Sequence, residues 1–475
     1  MNPAALKARA RRLRRDIEGL REEARTGLGL VRRSAGLERR APLGRLFEPE
    51  PVDFTPYRPP HPIEGFFLPA TVVTPVGQAC MHTFFDVCPL SPSGRYLAVT
   101  RLPFEHRAPL PGDVAEVCVV DLEAQTLTPV HRTGGWALQL GANLQWHPTS
   151  DRFLYANDLV NGRGVGVGID LEAREARTYA APFYAIDPGG KAMFGPALDL
   201  VNRTQAGYGV PEPFLDRRQL GPGASANEGL WRTDLETGRV DLFLSVAEIV
   251  AAQPDRDLLR RGRNALFHTK IGPDGRRLFQ VLRSNDLPDR PGVWRARIVT
   301  FDADGNDLRL ALPMEAWDRG GHHPSWLPDG DRILMNLVPE GESSLRFVRF
   351  RHDGTGLETV GAERGSGHPS LRPSGRWLLT DAYLNEGFGS PGGTAPLRLI
   401  DLEHGEARTL AEVDCGPPGL GSRRCDPHPV WSPDGRRIVA NAMVEGRRAV
   451  LLFDAASLPG PTPVSAKRAG VPVDA

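Results

Sequence analysis

The sequence predicts an all-β fold, a seven-bladed β-propeller of four-stranded antiparallel blades, with a basic amphipathic helix ahead of it. Three observations lead there. First, a Pro-x-Gly-like turn recurs at Pro92, Pro148, Pro188, Pro273, Pro328, Pro373 and Pro433. Second, each turn opens an apolar, alternating segment: RYLAVTRL, RFLYAND, KAMFGPALD, RRLFQVL, DRILMNL, RWLLTDAY and RRIVANAM. Third, a further strand follows in every unit, and in six units it reaches an aspartate at its turn: Asp121, Asp170, Asp234, Asp302, Asp401 and Asp454. Repeats of about 40 to 60 residues, each worth four short strands, build a ring of blades.

Taken in order, residues 1–45 carry Leu6, Leu13, Ile17 and Leu20 at helical spacing among Arg11, Arg12, Arg14, Arg15 and Arg21. Interleaved acids (Asp16, Glu18, Glu22, Glu23) argue against a transit peptide. The expectation is an amphipathic helix that packs on the body or on a second copy, giving a homo-oligomer; contact with an anionic membrane surface is the other reading. Residues 46–66 are proline-rich and read as a linker. The propeller is expected over 67–458. FLPATVVTPV, from Phe67, supplies the outer strand of the seventh blade, because the last unit runs out of strands near Leu458. Such closure removes exposed sheet edges. A gap between the third and fourth turns marks an insertion at about 200–266, helical in SVAEIVAAQPDRDLLRRGRN. Residues 459–475 form a Pro/Gly-rich tail.

Composition excludes several classes. Lys+Arg 58 balances Asp+Glu 58, so the whole molecule offers no electrostatic case for nucleic acid. Hydrophobic residues at 40% suit a packed core, and Gly 52 with Pro 44 suits many turns. Cys80, Cys88, Cys118, Cys415 and Cys425 are odd in number and lack a CxxC spacing, which argues against a disulfide framework or thiolate zinc site. The N-terminus has no apolar signal core and no run is long enough to span a bilayer, so a cytoplasmic location is expected.

The candidate chemistry lies in the turn register. His268, His323, His368 and His428 each stand five residues before a turn proline, in four successive units. The first three units carry Val87, Asn143 and Phe183 there. In a propeller the innermost strand of each blade lines the axis, so these imidazoles should converge on one side of the channel. Neutral imidazoles ligate divalent metals such as Mn, and a carboxylate suits harder ions. Asp426, two residues before His428, is a candidate ligand. Arg297, Arg423 and Arg424 add positive charge. Metal, arginine and a titratable histidine together suit proton abstraction beside a carboxylate.

From about residue 265 to 455 the chain resembles oligogalacturonate lyase, a cytoplasmic, manganese-using seven-bladed propeller family that β-eliminates uronate oligomers. The family's His-x-x-Trp segment is matched by His323-Pro-Ser-Trp326, and its strand-opening arginine by Arg297 in RIVTF. The resemblance implies His323 as base, Arg297 as the carboxylate neutraliser, and His368 and His428 as metal ligands. The chain departs from the family's Gln-x-x-His-x-His segment: Asp426 replaces the middle histidine and Arg423 the glutamine. Aspartate still ligates. An arginine cannot; in that place it meets a substrate carboxylate, or the metal is absent.

The expected function is therefore a polysaccharide or oligosaccharide lyase acting on a uronate-containing oligosaccharide. His323 and Arg297 are catalytic. His268, His322, Arg423 and Arg424 bind substrate, and Mn2+ or another divalent metal sits on His368, Asp426 and His428. The alternative is a non-catalytic propeller that presents a glycan- or protein-binding face. A propeller peptidase is not expected, because no catalytic α/β domain or G-x-S-x-G elbow follows the blades.

Overall fold

The computed structural model describes residues 43–59, 68–211, 221–388, 393–417 and 420–458. It contains seven antiparallel sheets, one per repeat, in chain order. The innermost strands are Cys80–Met81, Gln145–His147, Ala185–Ile186, Arg263–Ile271, Gly321–Trp326, Ser370–Leu371 and Val430–Trp431. The strands opened by the seven turns come second. They are buried on both faces, as in Ile333–Leu337 and Ile438–Ala442, because each blade is pressed between two neighbours. This explains why they read as more solidly apolar than strict alternation requires.

The second aspartate turns have a structural role. Arg95 pairs with Asp121 at 2.7 Å, Arg152 with Asp170 at 2.6 Å and Arg376 with Asp401 at 2.5 Å. In each case the arginine opening the second strand closes onto the end of the third, which fixes the hairpin register.

Ala70–Val72 pairs with Arg447–Asp454 in the register Ala70↔Phe453 and Val72↔Leu451. The preceding segment departs from a linker. Glu50–Pro51 pairs with the outer strand of blade one, and Thr55–Pro56 pairs with Ala70–Val72 of blade seven. Proline is tolerated because both are edge strands. Arg101 holds Glu50 at 2.7 Å, and the Tyr57 hydroxyl donates to the Glu412 carbonyl at 3.2 Å. Residues 46–59 thus strap the two blades that meet at the closure.

The insertion contains helices at Leu198–Thr204, Val246–Ala251 and Arg256–Leu259. Ser245 and Glu248 form a reciprocal capping box on the second of these. The expected N-terminal helix and the tail lie outside the described residues. No helix among the described residues is long and apolar enough to cross a membrane.

Candidate active site

At the shared register the inner strands do not run straight. Asn143, His268, His323 and His428 adopt φ of 55°, 55°, 57° and 46°. The pairing register shifts beside His268 and His323. A bulge of this kind turns a side chain out of the ladder, and left-handed non-glycine residues concentrate where such re-aiming serves a site. In blade six Gly367, at φ 66°, takes the left-handed position just before His368. A Cβ at Gly367 would lie 2.2 Å from the Asp381 carbonyl oxygen, so only glycine fits.

The four imidazoles converge. His323 and His368 have ring centroids 3.8 Å apart, and His368 and His428 4.4 Å. Phe84 touches all four, at 4.6 Å from His428, 5.5 Å from His268, 5.7 Å from His368 and 6.2 Å from His323. It arrives from blade one, where a Phe84↔Val87 bridge turns the chain tightly. Sequence reasoning missed it. The available signal was two adjacent aromatics beside His82 in a chain with only 7% aromatics.

All four histidines are buried, between 0% and 7% exposed. Burial, followed by the charges of neighbouring groups, drives the pKa of His268, His323 and His428 well below the ordinary histidine value. Burial likewise pushes His82 down to about 4. Neutral imidazoles result, the form that ligates metal and accepts protons.

Hydrogen bonds assign the tautomers. Gly367 O can only accept, so His323 Nδ1, 2.7 Å away, carries the proton and Nε2 keeps its lone pair. That lone pair meets the Tyr383 hydroxyl at 3.2 Å. His323 Nδ1 also lies 2.8 Å, and Asn336 Nδ2 3.2 Å, from His322 Nδ1. His322 therefore accepts at Nδ1 and donates through Nε2 to Glu386 at 3.2 Å. In His368, Nδ1 stands 2.9 Å from both Asp381 oxygens, so the neutral ring carries its proton there and turns Nε2 outward. Asp381 also accepts from the backbone N–H of His368 at 2.7 Å and of His428 at 3.3 Å. Burial raises the Asp381 pKa, but His368 and these N–H donors outweigh it and hold the carboxyl below its usual range. Sequence reasoning did not find Asp381, Tyr383 and Glu386; Asp381 stands eight residues after its turn proline, where blades five and seven carry Asn336 and Asn441.

His368, Asp426 and His428 offer ligand atoms all within 4.8 Å of one another. The set fits a divalent cation. Both ring nitrogens of buried His428 lack a hydrogen-bond partner. His368 presents Nε2 with Asp381 behind it, a carboxylate–histidine–metal geometry. Asp426 Oδ2 makes no well-aligned hydrogen bond, although Arg424 Nη2 stands 2.7 Å from it. The other candidate group among the described residues, Asp401, Glu403 and His404, is largely exposed, and its aspartate is taken by Arg376.

The remaining expected residues divide. Arg424 lies in the cluster, holding Asp426 through Nε at 2.7 Å and donating to the Tyr383 hydroxyl at 3.3 Å. A cavity of about 550 Å³ runs past Tyr383, Glu386, Arg424 and Asp426. His322 stands at its edge through Glu386. His268 bonds the Tyr184 hydroxyl through Nδ1 and stacks on Phe84. Arg423 donates to the His106 carbonyl at 2.9 Å, away from the imidazoles. Arg297 corrects the expectation. It lies on the third strand of blade four, two strand spacings (~10 Å) from the axial strand. Asp255 of the insertion holds it through two bonds of 2.6 Å.

No protein-family model and no curated protein matches the chain. Among the solved structures that match, two superpose over most of the chain. An oligogalacturonate lyase in complex with manganese superposes with TM-score 0.60 at 17% identity, covering 86% of this chain and 98% of that one. An oligogalacturonate lyase from Vibrio parahaemolyticus gives 0.59 at 15%, with the same coverages. The chain has the oligogalacturonate lyase-like propeller fold. The likeness spans the whole ring, whereas the sequence resemblance was confined to its second half. At such identity the likeness establishes the fold alone. Of the residues that the resemblance marked for chemistry, His323, His368 and His428 lie together in the lyase-like propeller, while Arg297 does not.

Proposed function

We propose that the protein is a lyase that β-eliminates a uronate-containing oligosaccharide. One observation carries the reading: a cation-ready set, His368, Asp426 and His428, adjoins a neutral His323 whose free nitrogen faces a cavity-lining tyrosine. In this reading Gly367 anchors His323 through Nδ1, and Nε2 removes the proton at C5, the carbon beside the uronate carboxylate. Arg424 meets the carboxylate from the cavity wall, in the role that the resemblance implied for Arg297. His322 borders the substrate through Glu386, whereas His268 and Arg423 stand back from the cavity. A divalent cation such as Mn2+, on His368, Asp426 and His428, would supply positive charge that acidifies C5–H.

The test is incubation with fragments of pectate, alginate, glucuronan and glycosaminoglycans in the presence of Mn2+, reading the ultraviolet absorbance of a new C4–C5 double bond. Absorbance from at least one polymer class supports the reading, and silence across all four ends it.

One observation favours a second reading, a non-catalytic glycan- or protein-binding propeller: Arg424 sits against both Asp426 oxygens, where it competes with a cation. That reading expects partner binding to survive replacement of His323 and His428 together. A cytoplasmic location and self-association through residues 1–45 belong to the proposal too. The five free cysteines suit a reducing compartment.

A further inference from the structure

We infer that Tyr383 is the acid of the proposed elimination, the residue that protonates the departing oxygen. The inference deepens the lyase reading and rests on it. Elimination needs two proton transfers: one from C5 and one to the oxygen leaving C4. His323 accounts for the first alone.

Few groups on the cavity wall have a proton to give. Arg424 is a guanidinium clamped to Asp426 and too weak an acid. The proton of His322 is directed at Glu386. Cys415 and Cys425 are buried thiols. Tyr383 lines the same cavity, and its hydroxyl touches the base, a cluster imidazole and the wall arginine. It lies 3.2 Å from His323 Nε2, 3.5 Å from His368 Nε2 and 3.3 Å from Arg424 Nη2. Because His323 Nε2 has no proton, the hydroxyl donates and the imidazole accepts.

This arrangement balances. As the Tyr383 hydroxyl turns to the leaving oxygen, it uncovers the Nε2 lone pair. The C5–H bond breaks and its proton goes to His323 Nε2. The bonding pair becomes the C4–C5 double bond, the C4–O bond breaks, and the oxygen takes the Tyr383 proton. The imidazolium then returns its proton to the phenolate across the 3.2 Å hydrogen bond, restoring the starting state. No outside reactant is consumed. Arg424, donating to the phenol oxygen, favours the transient phenolate.

Tyr383→Phe removes one oxygen and is read on two substrates. One is an oligouronate; the other is the same uronate with a 4-nitrophenyl ether at O4, whose leaving group needs no proton. The expected result is a fall in kcat of about 100-fold or more on the oligouronate and a rate within about 3-fold of wild type on the ether. Mn2+ affinity, measured by calorimetry, stays at the wild-type value, which reports an intact site. In the wild-type protein, a solvent deuterium effect should appear with the oligouronate and vanish with the ether. Equal losses on both substrates, or an undiminished oligouronate rate, overturn the assignment of Tyr383. A wild-type protein inactive on both substrates instead removes the lyase reading, and the acid with it.

Discussion

Lowering the pH through the histidine range should destabilise this propeller by an amount set by its buried imidazoles. His82 and His268 are the cleanest pair, since neither is a proposed cation ligand and both are buried, at 0% and 6% exposed. Burial lowers the pKa of His82 to about 4 and that of His268 well below the ordinary value. A histidine with a folded pKa below its unfolded one takes up a proton only in the unfolded chain between those two values. Stability is therefore complete above the unfolded pKa of about 6.5 and is lost as the pH falls below it. From about pH 7.5 to about pH 5.5 each such histidine costs about 1.4 kcal/mol, so the pair costs about 3 kcal/mol. Urea unfolding followed by tryptophan fluorescence at the two pH values measures this, with a His82→Phe, His268→Asn double variant as control. The variant should recover most of that difference. Equal wild-type stability at both pH values, or an unchanged difference in the variant, would refute the view that these imidazoles are held neutral.

Other outcomes follow from named contacts. Asp381→Asn should weaken Mn2+ binding by about 10- to 100-fold in calorimetry, because His368 loses the carboxylate that orients its ring; unchanged affinity would remove Asp381 from that role. Phe84→Ala should cost about 3–5 kcal/mol in urea unfolding, since the ring is 1% exposed and packs on four imidazoles; a loss below about 1 kcal/mol would contradict its place on the axis. Arg297→Met should cost about 2 kcal/mol by freeing Asp255, whose side chain is 32% exposed, yet leave turnover of oligouronates at the wild-type level. A selective loss of turnover would return Arg297 to the site.

The fold was legible because the repeat writes a turn proline and a buried strand seven times and an aspartate turn six times, three of these turns closed by an arginine. The four histidines were legible for the same reason, since a fixed offset from a turn becomes a fixed place around an axis. Their surroundings were not. Asp381 and Tyr383 come from the chain just after the second strand of blade six, and Phe84 from a turn in blade one. Tyr383 and Phe84 have no counterpart at their offsets in the other repeats; Asp381 shares its offset with Asn336 and Asn441, but it alone is a carboxylate there. Arg297 shows the opposite failure. A match in local sequence placed it near the chemistry, but strand order puts it two strands outward, against the insertion helices. Residues 46–59 misled by composition: prolines that suggest a linker also suit an edge strand, and only the partners of Glu50 and Tyr57 distinguish the two.

Titration of the metal-stripped protein with Mn2+ in a calorimeter, repeated on His428→Ala, bears most directly on the site. His428 has two unpartnered, buried ring nitrogens beside His368 and Asp426. One ion per chain, with affinity lost by about 100-fold or more in the variant, is the predicted result. Absence of binding in the wild-type protein, or equal binding in the variant, would contradict the claim that these three residues form a cation site.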